Sequence, residues 1–142
     1  MNNRLKIEFP ARSENERLAR VACSAFVLEL DPTVEEMSEL KTAISEAVTN
    51  SIIHGYKDDV SGEVKIEAEL KENVATYIIT DNGCGIEDVE KAREPLYSGS
   101  GDAERSGMGF SIMEAFMDEL VVESSPGRGT RIIMKKRFGI NE

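Results

Sequence analysis

Glu63-Val-Lys-Ile-Glu-Ala-Glu-Leu-Lys-Glu-Asn-Val-Ala-Thr-Tyr-Ile-Ile-Thr80, running directly into Asp81-Asn-Gly-Cys-Gly85, decides how this chain is read. Glu63 to Leu70 alternates apolar and polar residues, the period of an antiparallel strand with one wet face. Lys71-Glu-Asn73 reads as a hairpin loop and Val74 to Thr80 as the return strand. The apolar Tyr77-Ile-Ile run delivers Asp81 to the inner end of that strand. A carboxylate there needs a partner, because burying it unpaired is costly. The exocyclic amine of adenine is a suitable donor. Gly83 and Gly85 supply backbone angles that other residues resist. Taken alone, the segment reads equally as a plain Asp-Asn-Gly turn between strand and helix.

On the N-terminal side, Leu5-Lys-Ile-Glu-Phe9 alternates as a half-buried strand that Pro10 ends. Ser13-x-x-Glu16 has the form of a capping box. Leu18, Val21, Ala22, Ala25 and Leu28 then make a helical stripe up to about Leu30. Asp31-Pro32 breaks it, and Thr33-x-x-Glu36 is a second capping box. The helix that follows carries Met37, Leu40, Ile44, Ala47, Val48 and Ser51 on one face and stops near Gly55. Asp58 to Gly62 reads as a turn.

On the C-terminal side, Phe110 to Phe116 is expected to be helical. Glu119 to Ser124 and Thr130 to Lys136 are strands joined by Ser125-Pro-Gly-Arg-Gly129. Between Asp88 and Gly107 the chain is polar, with Ser98-Gly-Ser-Gly101 at its centre. A loop of that length inside a compact domain is usually functional or disordered. With no internal repeat, the order of elements predicts one domain over residues 1–142. Its fold class is α+β, a two-layer sandwich of helices on one face of a mainly antiparallel mixed sheet.

The 142 residues carry a net charge of −10, with 40% hydrophobic and 31% charged residues. That balance is globular rather than disordered. Nucleic-acid binders need a basic footprint, so no direct nucleic-acid contact is expected. An acidic surface instead suits a protein partner with basic patches. Lys135-Lys-Arg137 is the only basic cluster and reads as the solvated end of a strand. No apolar run reaches a membrane span. The first residues lack the stretch of a signal peptide, so a cytoplasmic location is expected. Cys23 and Cys84 belong to no CxxC pair and read as two reduced thiols.

On a wheel of ~100° per residue, Glu46 and Asn50 lie opposite the apolar stripe of the second helix, one turn apart. Ala43 and Ala47 flank them and would let a ligand approach. Asn50 is a candidate oxygen ligand for Mg²⁺, whose octahedron would be completed by phosphate oxygens. Glu46 would orient or deprotonate an attacking hydroxyl. The same residues also fit a solvated helix face. Gly107-Met-Gly109 before Phe110 exposes backbone N–H groups at a helix start, which suits a phosphate. Arg105, just before these glycines, is a candidate for steadying a γ-phosphate and reads equally as a solvated loop arginine.

The order and spacing of the three segments resemble the GHKL ATPases, the family of gyrase, Hsp90, histidine kinases and MutL. Glu46 to Asn50 matches the N box, Asp81-x-Gly-x-Gly85 the first glycine box, and Gly107-x-Gly-Phe110 the second. The resemblance spans nearly the whole chain. It implies that Asn50 binds Mg²⁺, that Asp81 binds the adenine of ATP, and that residues 88–107 form an ATP lid. It also implies that Thr130, in Gly127-Arg-Gly-Thr130, helps fix adenine through water.

Glu-Ala-Val-Thr-Asn-Ser-Ile-Ile-His-Gly-Tyr56 is similar to the serine-kinase branch of bacterial anti-sigma factors. That likeness implies a homodimer with two partners. One is a sporulation sigma factor held inactive. The other is an anti-anti-sigma protein phosphorylated on serine. Two other readings stand beside this one. One is a module that binds ATP and controls its partner without phosphotransfer. The other is an adaptor that binds no nucleotide. Glu14, Glu16, Arg17 and Arg20 are candidates for partner contact, and a solvated face explains them equally well.

Overall fold

The computed structural model describes residues 2–57, 59–94 and 109–139. Among these residues five strands form one sheet: β1 (Asn2–Pro10), β2 (Glu63–Lys71), β3 (Val74–Asp81), β4 (Glu119–Ser124) and β5 (Thr130–Arg137). Their order is β1-β2-β3-β5-β4. Among the described residues each pairing is antiparallel, so the α+β sandwich there lacks the parallel pair that a mixed sheet would contain. The helices are α1 (Asn15–Phe26), α2 (Val34–Thr49), α3 (Val89–Ala92) and α4 (Gly109–Phe116).

The alternation of β2 and β3 divides their residues between the two faces of the sheet. Val64, Ile66, Ala68 and Leu70 of β2 are buried, with Ala75, Tyr77, Ile79 and Asp81 of β3 and Ile132 and Met134 of β5. Leu40, Ile44 and Val48 of α2 and Met113 of α4 join the same core. The other face of the sheet carries Glu67, Thr76, Ile133 and Lys135, which stay partly exposed.

The start of α2 follows its sequence. The Thr33 hydroxyl accepts from the Glu36 N–H (3.0 Å), and the Glu36 carboxylate accepts from the Thr33 N–H (2.9 Å), closing the capping box. The box expected at Ser13 does not form. Glu14 is the N-cap residue and makes no side-chain cap. The Glu16 carboxylate lies instead 3.1 Å from the Arg20 guanidinium, a helical turn away.

The expected buried stripe of α1 is also overturned. Leu18, Val21 and Leu28 are 57%, 58% and 59% exposed, whereas Ala19, Cys23 and Ser24 are buried. Small Ala19 and Cys23 let α1 sit close to its neighbours, and Phe26 packs edge-on against Tyr77, while Leu18 and Val21 face outward. The Tyr77 hydroxyl donates to the Cys23 carbonyl across this interface (2.8 Å). Burial pushes the Cys23 thiol up to about 12, so it stays protonated at neutral pH. Cys84 is exposed, and both thiols are free.

Lys136 corrects a further expectation. It is buried rather than solvated, with Nζ donating to Glu39 Oε1 (2.9 Å) and to the Phe116 carbonyl (2.8 Å). Its place in the alternation of β5 turns it toward the helices, while Lys135 and Arg137 point away.

Two outcomes check this packing by urea denaturation. Tyr77→Phe leaves a buried carbonyl short of a donor and is expected to cost about 1 kcal/mol. Leu18→Ser, on the outward face of α1, is expected to stay within about 0.5 kcal/mol of the parent. A large loss for Leu18→Ser would mean that α1 buries the other face.

Candidate functional site

Asp81 is the last residue of β3 and only 2% exposed. Its Oδ1 accepts from the Gly83 N–H (2.9 Å), the local loop that an Asp favours at a turn. Its Oδ2 makes no close hydrogen bond, nor does the buried Ser51 Oγ just beyond α2, although Ser51 lies close enough to act on the acid. Burial raises the Asp81 pKa above the ordinary carboxylate value. The Gly83 amide, the nearby Ser51 hydroxyl and the Thr130 amide pull it back only in part. A buried acceptor with one oxygen left over is a fitting partner for an amine donor.

The turn after β3 is welded to the end of the helical segment. Beyond Thr49 the helix widens into a π turn over Asn50–Gly55, and the Tyr56 N–H reaches the Ser51 carbonyl (2.9 Å). Such turns are frequent at functional sites. The Cys84 N–H donates to the Gly55 carbonyl (2.9 Å), and the Gly127 N–H donates to the Cys84 carbonyl (2.7 Å). A Cβ on Gly83 would stand 2.1 Å from the Gly55 carbonyl oxygen, so this glycine is set by chain meeting chain rather than by its φ. Gly85 has φ +78° and lies against Ser125. The Tyr56 hydroxyl accepts from the Asn82 N–H (2.7 Å) and donates to the Glu63 carbonyl (2.6 Å), strapping the turn to β2.

Thr130 is the register partner of Asp81 across β3 and β5. The Ser124 hydroxyl donates to the Gly129 carbonyl (2.8 Å) and accepts from the Ile86 N–H (2.8 Å). Its single proton is thereby used. The 2.9 Å contact with Thr130 Oγ1 must therefore carry the threonine's proton. Thr130 keeps its lone pairs to accept from a donor beside Asp81.

Glu46 and Asn50 are both half-buried, one turn apart along the continuous helix. Glu46 stands beside the start of α4, where a Cβ on Gly109 would lie 3.3 Å from its Oε1. Burial, and secondarily the charge of Glu16, raises the Glu46 pKa. Ala43 and Ala47 are fully buried in the core of α2, which α1 and α4 flank. Their small size gives neighbouring helices room, not a ligand.

Arg105, Gly107 and residues 95–107 of the expected lid lie outside the described residues. Among the described residues no cluster of His, Cys, Asp or Glu would hold a metal alone, so an ion at Asn50 would draw its other oxygens from a ligand. A cleft of about 350 Å³ is lined by Thr80, Asn82, Ser125, Arg128 and Arg131, with Asp81 and Thr130. Its walls include neither Glu46 nor Asn50, so it is not the space between those residues and Asp81.

Glu46 lies beside Gly109, and Asp81 beside Gly55 and Thr130. The chain as a whole is also similar to known proteins. The family model described as "Histidine kinase-like ATPase domain" matches residues 9–136. The chain belongs to this family. It is 55% identical over 139 residues to the anti-sigma F factor of Clostridium beijerinckii, covering 98% of this chain and 97% of that one. With the anti-sigma F factor of Clostridium novyi the identity is 59% over 136 residues, covering 96% and 95%.

Among solved structures, the RsbU and RsbW domains of Rv1364c from Mycobacterium tuberculosis align over 96% of this chain. The TM-score is 0.69 at 21% identity, and the chain spans 32% of that one. The catalytic domain of histidine kinase ThkA aligns over 94% of this chain and 96% of its own, with TM-score 0.59 and 17% identity. Both share the histidine kinase-like ATPase fold. Gly55, Ser51, Tyr56 and Ser124 escape sequence reasoning, although the run to Tyr56 contains three of them.

The leftover acid has a cost in stability. The native state holds the Asp81 proton more tightly than the unfolded chain, so stability from this group falls as pH rises from the ordinary Asp value up to the raised folded value. Asp81→Asn is expected to melt at or above the parent at pH 8, and to flatten that pH dependence. In calorimetry its affinity for ATP and ADP is expected to fall at least about tenfold, the scale of a charged hydrogen bond. Unchanged ATP affinity would remove Asp81 from the site.

Proposed function

We propose that this protein is an ATP-dependent protein serine kinase that also acts as an anti-sigma factor. In this reading it binds and inhibits a sporulation sigma factor, and uses Mg-ATP to phosphorylate an anti-anti-sigma protein on serine. The observation that carries the nucleotide half is the buried Asp81 Oδ2, which makes no close hydrogen bond, beside a threonine oriented to accept. The names of the relatives support the sigma-factor half. The acidic chain suits protein partners, and we place the protein in the cytoplasm as a homodimer.

The adenine amine of ATP would donate to Asp81, and Thr130 would accept, through water, from the same edge. Asn50 would hold Mg²⁺, with Gly107 and Gly109 facing the phosphate tail and Arg105 at the γ-phosphate. Gly83 and Gly85 would shape the turn beside the base. The metal supplies charge neutralisation on the phosphates. Glu46 takes the proton from the serine hydroxyl as its oxygen attacks the γ-phosphorus. The bond from that phosphorus to the β,γ-bridging oxygen breaks, and ADP leaves. A carboxylate whose pKa is raised by burial and by Glu16 is a stronger base than an exposed one.

Labelled ATP, the antagonist and two variants test this reading. Glu46→Gln is expected to lower phosphotransfer by roughly 10²–10⁴ while ATP affinity stays near the parent's. Asn50→Ala is expected to weaken Mg-ATP binding itself. The acid limb of the parent's pH–rate profile is expected above the ordinary glutamate value, since Glu46 must be ionised to act. Phosphotransfer at the parent rate by Glu46→Gln would leave a nucleotide-binding module with no base.

A further inference from the structure

Lys136 stands outside the nucleotide site, yet its contacts bear on the site's spacing. Nζ binds Glu39 Oε1 on α2 (2.9 Å) and the Phe116 carbonyl at the C-terminal end of α4 (2.8 Å). The side chain is 8% exposed and that of Glu39 31%. At the other end of the same two helices, Gly109 meets the Glu46 carboxylate, with 3.3 Å from an added Cβ to Oε1. Glu39 and Glu46 are seven residues apart on α2, and Phe116 and Gly109 are seven apart on α4. The two separations are each about 10.5 Å along a helix axis. The helices therefore lie side by side in opposite senses, joined by Lys136 at one end and meeting at Glu46 and Gly109 at the other.

We propose that Lys136 is a positioning residue that sets the distance between the Glu46 carboxylate and the phosphate-facing start of α4. The ammonium accepts nothing and has three protons to give, so it joins a carboxylate and a helix-end carbonyl that have no other side-chain donor among the described residues. The carbonyl is one of the four that every helix leaves unpaired at its C-terminus. With the far end of α4 fixed, the helix has less freedom to slide or tilt along α2, and its first turn is held against Glu46. This role rests on the reading of the α4 start as the phosphate-facing element. It concerns the tail of the ligand and not adenine, which Asp81 meets on β3.

The test compares ligands that share adenine and differ in phosphate. Lys136→Met keeps the aliphatic stem and deletes the ammonium. Glu39→Gln removes its charged partner, and Lys136→Arg keeps the charge. Calorimetry with Mg-ATP and with adenosine is combined with the backbone amide signal of Gly109 in nucleotide-free protein.

Lys136→Met and Glu39→Gln are each expected to weaken Mg-ATP at least fivefold more than adenosine. The double variant is expected to lose little beyond either alone, and Lys136→Arg to recover part of the loss. The Gly109 amide is expected to shift in Lys136→Met without ligand. Equal losses for ATP and adenosine, or an unmoved Gly109 amide in a folded variant, would overturn the proposal. Should Lys136→Met fail to fold, Glu39→Gln and Lys136→Arg give the same comparison. A shifted Gly109 amide in a protein that binds neither ligand would support the positioning role and sink the nucleotide reading instead.

Discussion

Asp81 places a carboxylate where water does not reach, at the end of a central strand, and the surrounding chain is built around that constraint. One oxygen is satisfied locally by the Gly83 amide, and the other is left over. Gly55 must lack a side chain, because a Cβ there would stand 2.8 Å from Oδ1. The pairing of β3 with β5 sets Thr130 directly across, and Ser124 turns the threonine's proton away from the acid. A buried acid short of partners is rare in a native state, and an ordered water, an ion or a functional role accounts for most of them.

The helix α2 is the second organising element. Its capped start is anchored by Thr33 and Glu36, its middle is tied to β5 and α4 by Glu39 and Lys136, and its end widens beside Asp81. Glu46 and Asn50 lie between those anchors. Their positions are thus inherited from contacts made at both ends of one rigid rod. Small Ala43 and Ala47 allow α1 and α4 to flank it, which half-buries Glu46 and raises its proton affinity.

The membership of the chain in the histidine kinase-like ATPase domain family accords with this arrangement, and its high identity to anti-sigma F factors narrows the branch. The site also shows why glycine recurs in the matching motifs for different reasons. Gly85 is needed for its positive φ, whereas Gly83 is needed because two backbones touch. A motif records both needs with the same letter.

The sequence by itself determined whatever depends on near neighbours in the chain. Period-two alternation placed β2, β3, β4 and β5 within a residue or so, and Thr33-x-x-Glu36 marked the start of α2. The spacing of Glu46, Asn50, Asp81 and Gly109 named candidate residues, of which Glu46 and Gly109 lie side by side. Tertiary structure alone decided which surface each element shows to the others. Composition favours Leu18, Val21 and Leu28 as an inner face, but the fold buries Ala19 and Cys23 of α1 instead, where small side chains allow a close approach. Lys136 reads as one more lysine in a basic run until the helix layer covers its side of β5. The direction of the Thr130 hydroxyl depends on Ser124, Gly129 and Ile86 together. Local periodicity encodes secondary structure because it involves residues a turn or a pleat apart. Burial, ion pairing and proton direction involve groups brought together from distant parts of the chain, and no short pattern records them.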